Sequence, residues 1–252
     1  MPLLEVKNIE KRFGGLKAIS NLSFTVEENV VFSIIGPNGA GKTTLFNVLT
    51  NIYKPTSGSI FFRGTEITNL PPFRIARLGV SRTFQNLQVF LNMNTLENVM
   101  VGCHLRSKSG LIASALRLPS VIREEKQVRA MALEALEFCG LDEFANRPAS
   151  SLPYGILKKL EIARSLAAKP KLLLMDEPAA GLNDTETAEL CQLIKRIRDS
   201  GITVVLVEHN MSLVMEISQE VLVLNYGQLL AQGPPGEIQK NPEVIAAYLG
   251  EE

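Results

Sequence analysis

Short apolar runs rich in β-branched residues alternate along this chain with stretches of helical spacing. Residues 4–9, 22–26, 30–35 and 58–62 read as strands, and so do 171–175, 203–207 and 220–224. Residues 42–49, 154–168, 184–200 and 211–217 carry apolar positions at helical spacing. Strand–helix alternation over the second half predicts parallel strands covered by helices. The runs LLLM and TVVLV in this half lack the polar face of a half-exposed strand, as strands buried on both faces do. From about Pro72 to Ser150 the strand signal fades and helix formers dominate. The segment IREEKQVRAMALEALEFC at 122–139 has the spacing of a long amphipathic helix. Residues 110–120 read as a loop or short exposed helix. The pattern is that of an α/β domain with a helical insertion at 72–150. No internal repeat or low-complexity tract interrupts it.

Composition narrows the class. The 252 residues are 46% hydrophobic and 21% charged, ordinary values for a globular protein with a real core. Lys plus Arg equals Asp plus Glu at 26 each, so no global charge argues for nucleic acid or an anionic membrane as partner. Cys103, Cys139 and Cys191 stand far apart, fitting neither a disulfide framework nor a zinc site. They read as thiols in a reducing compartment. The first residues, MPLLEVKNIEKRF, carry charges where a signal peptide needs an apolar run. No segment approaches the roughly 18–20 consecutive apolar residues of a membrane span. Any membrane task is expected to be performed from outside the bilayer.

The chemistry begins at Gly36-Pro37-Asn38-Gly39-Ala40-Gly41-Lys42-Thr43, a full match to G-x-x-x-x-G-K-[ST]. An apolar strand feeds it and a helix beginning near Thr43 and Thr44 leaves it. The glycines let backbone N–H groups turn inward around a phosphate, and the helix N-terminus adds partial positive charge. Lys42 can bridge β- and γ-phosphates, and the Thr43 hydroxyl suits Mg²⁺. Asp176 and Glu177 end a buried strand, where ligands of open α/β sheets collect. Asp176 would hold Mg²⁺, directly or through water, and Glu177 would polarise an attacking water. His209 follows a second apolar strand, in the place of a γ-phosphate sensor. Phe13 could stack on a base.

In this order, Phe13, the loop from Gly36 to Thr44, Gln85, the segment 152–156, Asp176-Glu177 and His209 resemble the ABC ATPase family over nearly the whole chain. The resemblance implies a P-loop NTPase (RecA-like) α/β core with an N-terminal antiparallel β subdomain and an inserted α-helical subdomain. The core would comprise 1–71 and 151–252, the insertion 72–150, and a helical tail 234–252. It implies ATP and Mg²⁺ as ligands, with Glu177, His209 and Gln85 catalytic and Thr43, Gln85 and Asp176 at the metal. It also implies a head-to-tail dimer, with itself or a related ATPase, in which Tyr154 and Gly155 face the partner's ATP. Stretches such as FGGLKAI, SRTFQNLQVF, DEPAAGLN and NPEVIAAYLG resemble the ATPases of bacterial branched-chain amino acid importers and their urea and amide relatives. Membrane permease subunits and an extracytoplasmic solute-binding protein would complete such a system. The chain would lie peripherally on the cytoplasmic face of the plasma membrane, with no nucleic-acid partner.

Two segments depart from the family pattern. Its signature usually reads Leu-Ser-Gly-Gly-Gln; here it is Leu152-Pro153-Tyr154-Gly155-Ile156. Pro153 removes a hydroxyl and an N–H that would face the partner's γ-phosphate, and Ile156 replaces a polar side chain. The expected consequence is slowed hydrolysis. Asn183 stands where many relatives have aspartate, in a context normal for the branch. Two other readings use the same residues: a non-hydrolysing ATP-binding assembly module, and the ATPase of a lipopolysaccharide-type exporter.

Overall fold

A computed structural model describes residues 2–106 and 119–249. The chain divides into two compact units, Met1–Val80 with Lys171–Glu252, and Ser81–Pro170.

The first unit holds two sheets. Strands β1 (Leu4–Phe13) and β2 (Leu16–Val26) form a hairpin. With β4 (Ser57–Phe62) and β5 (Thr65–Glu66) they make an antiparallel sheet in the order β2-β1-β4-β5. Leu4, Val6 and Ile9 of β1 point into the core. Strand β2 starts six residues earlier than its apolar pattern indicates. Of residues 16–21 only Ile19 is buried, so backbone pairing with β1, more than an apolar face, sustains this part of the strand.

The larger sheet is built on β3 (Val31–Ile35), β7 (Leu172–Asp176) and β8 (Thr203–Val207), buried at every residue. With β9 (Glu220–Asn225) and β10 (Gln228–Gly233) the order is β10-β9-β3-β8-β7. The pairs among β9, β3, β8 and β7 are parallel. Strand β10 returns antiparallel through a turn at Tyr226 (φ 45°) and Gly227 (φ 74°). Both central residues lie at positive φ, as a tight hairpin turn of the primed type requires. The sequence pattern missed this hairpin because tyrosine is not a residue expected at such a turn. The short β6 (Val80–Arg82) begins where this unit ends. Helices α1 (Lys42–Leu49), α2 (Pro72–Leu78), α6 (Asp184–Asp199) and α7 (Met211–Ile217) belong here. The chain closes with α8 (Pro235–Ile238) and α9 (Pro242–Leu249). Ile238 and Val244 pack with Ile35, Val221 and Val223 in a second apolar cluster.

The second unit is helical. Helices α3 (Thr95–Gly102), α4 (Pro119–Phe138) and α5 (Tyr154–Ala167) pack on one another. A Cβ on Gly102 would lie 2.0 Å from the Arg164 carbonyl oxygen, so glycine permits the close crossing of α3 and α5. Helix α5 belongs to this unit because its apolar face packs on α3 and α4. Most of the expected 110–120 segment lies outside the described residues. All three cysteines are buried. Among the described residues no helix is long and apolar enough to cross a membrane.

Candidate functional site

The larger sheet brings the phosphate loop, the acidic pair and His209 to one edge. Ile34 of β3 pairs with Val207 of β8, and Asp176 of β7 pairs with the same Val207. The three strands therefore end level. Gly36, Glu177, Glu208 and His209 emerge at or just beyond that line, at the carboxyl ends of parallel strands where open α/β sheets bind ligands.

The loop after β3 is shaped by its glycines. A Cβ on Gly36 (φ +148°) would lie 2.1 Å from the Leu224 carbonyl oxygen, and one on Gly41 (φ +101°) 2.6 Å from that of Ala18. Neither clash involves a movable side chain, so both positions require glycine. The Gly227 N–H donates to the Ala40 carbonyl at 2.9 Å. Pro37 and Ala40 are buried, whereas Asn38 and Gly39 are exposed. The buried Lys42 donates from Nζ to the carbonyls of Gly36 and, at 2.8 Å, Pro37. Its ammonium thus lies inside the curve of the loop. Thr43 is exposed and Thr44 half-buried at the first turn of α1. Helix α1 starts from Gly41 with no side-chain cap and no acidic residue in its first turn, leaving N–H groups and the dipole for an anion.

Asp176 ends β7 at 1% exposure. A carboxylate so deeply placed calls for a cation or hydrogen-bond donors. Together with the Thr43 hydroxyl it offers the hard oxygen ligands that Mg²⁺ takes. Glu177 follows in the left-handed region, φ 49°, a conformation costing a non-glycine residue about 1–3 kcal/mol. Its N–H donates to the Val207 carbonyl at 2.9 Å, and its Oε1 lies 3.0 Å from His209 Nε2. His209 is partly exposed, so the pair opens toward solvent and a substrate.

Phe13 ends β1 with 42% of its surface exposed. Its ring meets Tyr53 edge-on at 5.3 Å, and Lys11 Nζ sits 4.9 Å over it. Such a braced, partly exposed ring suits stacking on a base.

Gln85, Tyr154 and Gly155 belong to the second unit. Gln85 is exposed on the loop between β6 and α3. Buried polar side chains tie that loop within its unit. Buried Glu161 of α5 accepts from the Phe84 N–H at 3.2 Å, and buried Asn98 of α3 accepts from the Phe90 N–H at 2.8 Å while donating to the Phe90 carbonyl at 2.9 Å. Burial pushes the Glu161 carboxyl up, against the lowering pull of the Phe84 N–H and Arg164. Burial likewise lowers Arg164, which Glu161 opposes. Pro153 takes the N-cap position of α5 without a side-chain cap, leaving Tyr154 44% exposed and Gly155 buried. Asn183 caps α6: its Oδ1 accepts from the Glu186 N–H at 2.9 Å, and Glu186 returns the bond at 3.0 Å.

Sequence reasoning passed over Lys11, Tyr53, Glu161 and Glu208. Only Glu208 left a visible signal, a charge continuing the apolar run TVVLV without a break.

Comparison with known proteins agrees with this geometry. The family model described as ABC transporter matches residues 19–180, and that described as Branched-chain amino acid ATP-binding cassette transporter matches 228–252. The High-affinity branched-chain amino acid transport ATP-binding protein BraF of Pseudomonas aeruginosa is 48% identical over 99% of this chain and 98% of its own length. The corresponding protein LivG of Salmonella typhimurium is 49% identical with the same coverage. A crystal structure of the ADP conformation of an ABC transporter's ATP-binding cassette superposes with a TM-score of 0.87, at 32% identity and full coverage of both chains.

Proposed function

This chain belongs to the ABC transporter family as an ATP-hydrolysing subunit, and from that premise we propose that it powers an importer of branched-chain amino acids or related amides. The pairing of Glu177 with His209, level with a complete phosphate loop, carries the hydrolytic part of this reading. The solute class rests on the likeness to BraF and LivG and on the match at the C-terminal residues 228–252.

In this reading the N–H groups of the loop and of α1 hold the ATP phosphates, and Lys42 exchanges its carbonyl partners for β- and γ-phosphate oxygens. Phe13 stacks on the base. Mg²⁺, held by Thr43 and Asp176, would neutralise charge on the phosphates. Glu177 draws the proton of the attacking water, and His209 orients Glu177 and contacts the γ-phosphate. Two chains of this kind, identical or related, would meet head to tail, so that Tyr154, Gly155 and the start of α5 face the partner's ATP. The division into core, helical insertion and C-terminal tail is part of the same proposal. The second unit carries a groove of about 730 Å³ lined by Met93, Glu97, Met100 and Glu124, and we assign that unit to contact with permease subunits. The chain would then work peripherally at the cytoplasmic membrane face, and the binding protein would meet only the permease.

Mg²⁺-dependent phosphate release by the chain, with Glu177→Gln as blank, tests the hydrolytic reading. Loss of turnover by about a hundredfold or more with ATP binding retained is expected. Near-normal hydrolysis in that variant would remove Glu177 as the base. Leucine uptake by cells lacking the gene tests the solute: uptake equal to the parent's would sink the importer assignment.

A further inference from the structure

We propose that Glu208 is a positioning residue for hydrolysis, its buried carboxylate locking the turn that carries Glu177 to the loop that carries His209. The inference rests on the assignment of Glu177 as base.

Glu208 follows β8 directly and is 3% exposed. One carboxylate oxygen accepts the Ala179 N–H at 2.7 Å. The other accepts the N–H of His209 at 2.9 Å and of Asn210 at 3.2 Å. One side chain therefore joins two loops that leave adjacent strands. Three N–H donors supply the carboxylate with the hydrogen bonds that its burial takes from water.

The loop held through Ala179 is the one that needs holding. Glu177 adopts φ 49°, which an isolated chain would leave. Backbone bonds restrain it, among them its own N–H to Val207 and the Ala180 N–H to its carbonyl at 3.1 Å. Glu208 adds a side-chain restraint one residue before Ala180. The same carboxylate fixes the His209 backbone. It also fixes Asn210, whose Oδ1 caps α7 through the Leu213 N–H at 3.1 Å. The 3.0 Å separation of His209 Nε2 and Glu177 Oε1 is thus set through the backbone, by a group whose hydrogen bonds go to N–H groups of both loops.

Only a carboxylate presents acceptors on both oxygens. Glutamine of the same shape must turn its NH₂ toward Ala179 or toward His209 and Asn210, placing donor against donor. Glu208→Gln is therefore a sharper test than truncation, and Glu208→Asp keeps the charge while shortening the reach.

The experiment measures steady-state ATP hydrolysis by the full chain, with copurified membrane subunits where turnover needs them, and the Kd of a fluorescent ATP analogue. The expected result is a kcat lowered at least tenfold in Glu208→Gln with Kd within twofold of the parent, and an intermediate kcat in Glu208→Asp. Because Glu208 acts through Glu177, adding Glu208→Gln to Glu177→Gln should lower the residual rate no further. A kcat within twofold of the parent, or a multiplicative loss in the double variant, would overturn the inference. So would a loss confined to Kd and thermal midpoint. Should Glu208→Gln fail to fold, Glu208→Asp decides by the same readouts, and parental kcat there overturns the inference. If Glu177→Gln itself hydrolyses normally, the base assignment falls. If Glu177→Gln is inactive and Glu208→Gln is normal, only the present inference falls.

Discussion

Helices α1 and α5 begin differently from helices α3 and α6. The latter two each open with a complete capping box, Asn94 with Glu97 and Asn183 with Glu186. Their first N–H groups are satisfied within the chain, and a glutamate lies over the positive end of the dipole. Helices α1 and α5 start from Gly41 and Pro153, with no side-chain cap and no acid in the first turn. Helices α2 and α8 also lack a side-chain cap, but each has proline in its first turn, which removes one of the orphan donors. The difference separates helix starts that serve the fold from those left open to an external anion. Both of these open starts are ones the sequence associates with ATP, α1 in its own phosphate loop and α5 in the signature.

The comparison breaks most severely at Gly41. In Gly41→Ala the new methyl meets the Ala18 carbonyl at 2.6 Å in a left-handed backbone, so the loop must shift. A displacement of an ångström is expected to lower kcat/KM for ATP about a hundredfold, as measured by phosphate release. Pro153→Ser tests the other open start in the opposite direction. A hydroxyl and an N–H return at the head of α5. Each hydrogen bond to a charged phosphate is worth about 1.5–3 kcal/mol, so hydrolysis by the assembled transporter should rise about ten- to a hundredfold. Unchanged turnover would mean that α5 needs no hydroxyl there. Asn183→Ala addresses a boxed helix, and its effect should fall on folding alone. It should cost about 1 kcal/mol in chemical denaturation and leave the Kd for ATP where it was.

Legibility followed the same division. Strands β3, β7 and β8 were evident because burial on both faces keeps them apolar but for Ser33 and the terminal Asp176 and Thr203. Helices α1 and α7 were placed at their observed bounds by apolar spacing. The first half of β2 and the β9–β10 hairpin were not evident: one buries only Ile19 and is held mainly by backbone pairing, the other turns on Tyr226 at positive φ. The phosphate loop could be located because its backbone geometry demands glycines at fixed spacing. Glu208 could not, because a glutamate at a strand end reads as solvated until three backbone donors are seen around it. Glu161 was hidden for a related reason, as one charge among several on an amphipathic helix.

If α5 is not held by a cap at its start, Glu161 is a buried group that ties it to the loop bearing Gln85, and pH offers a way to see this. Glu161 receives the Phe84 N–H, a backbone bond from Gln88, and the fields of Arg164 and Lys158, yet burial outweighs them and raises its pKa. A carboxyl whose folded value lies above its unfolded value contributes stability that is fully present below the unfolded value. That stability is lost as pH rises through the folded value. Glu161→Gln keeps an acceptor for Phe84 and does not titrate. Arg164 stays charged throughout this range, so losing its counter-ion adds a constant offset and no slope. The expected result is a stability difference between variant and parent that moves in the variant's favour from acid pH toward neutrality, the smallest effect of the four. Urea midpoints of both proteins over that range measure it, and parallel pH profiles would show that Glu161 titrates alike in the folded and unfolded chain.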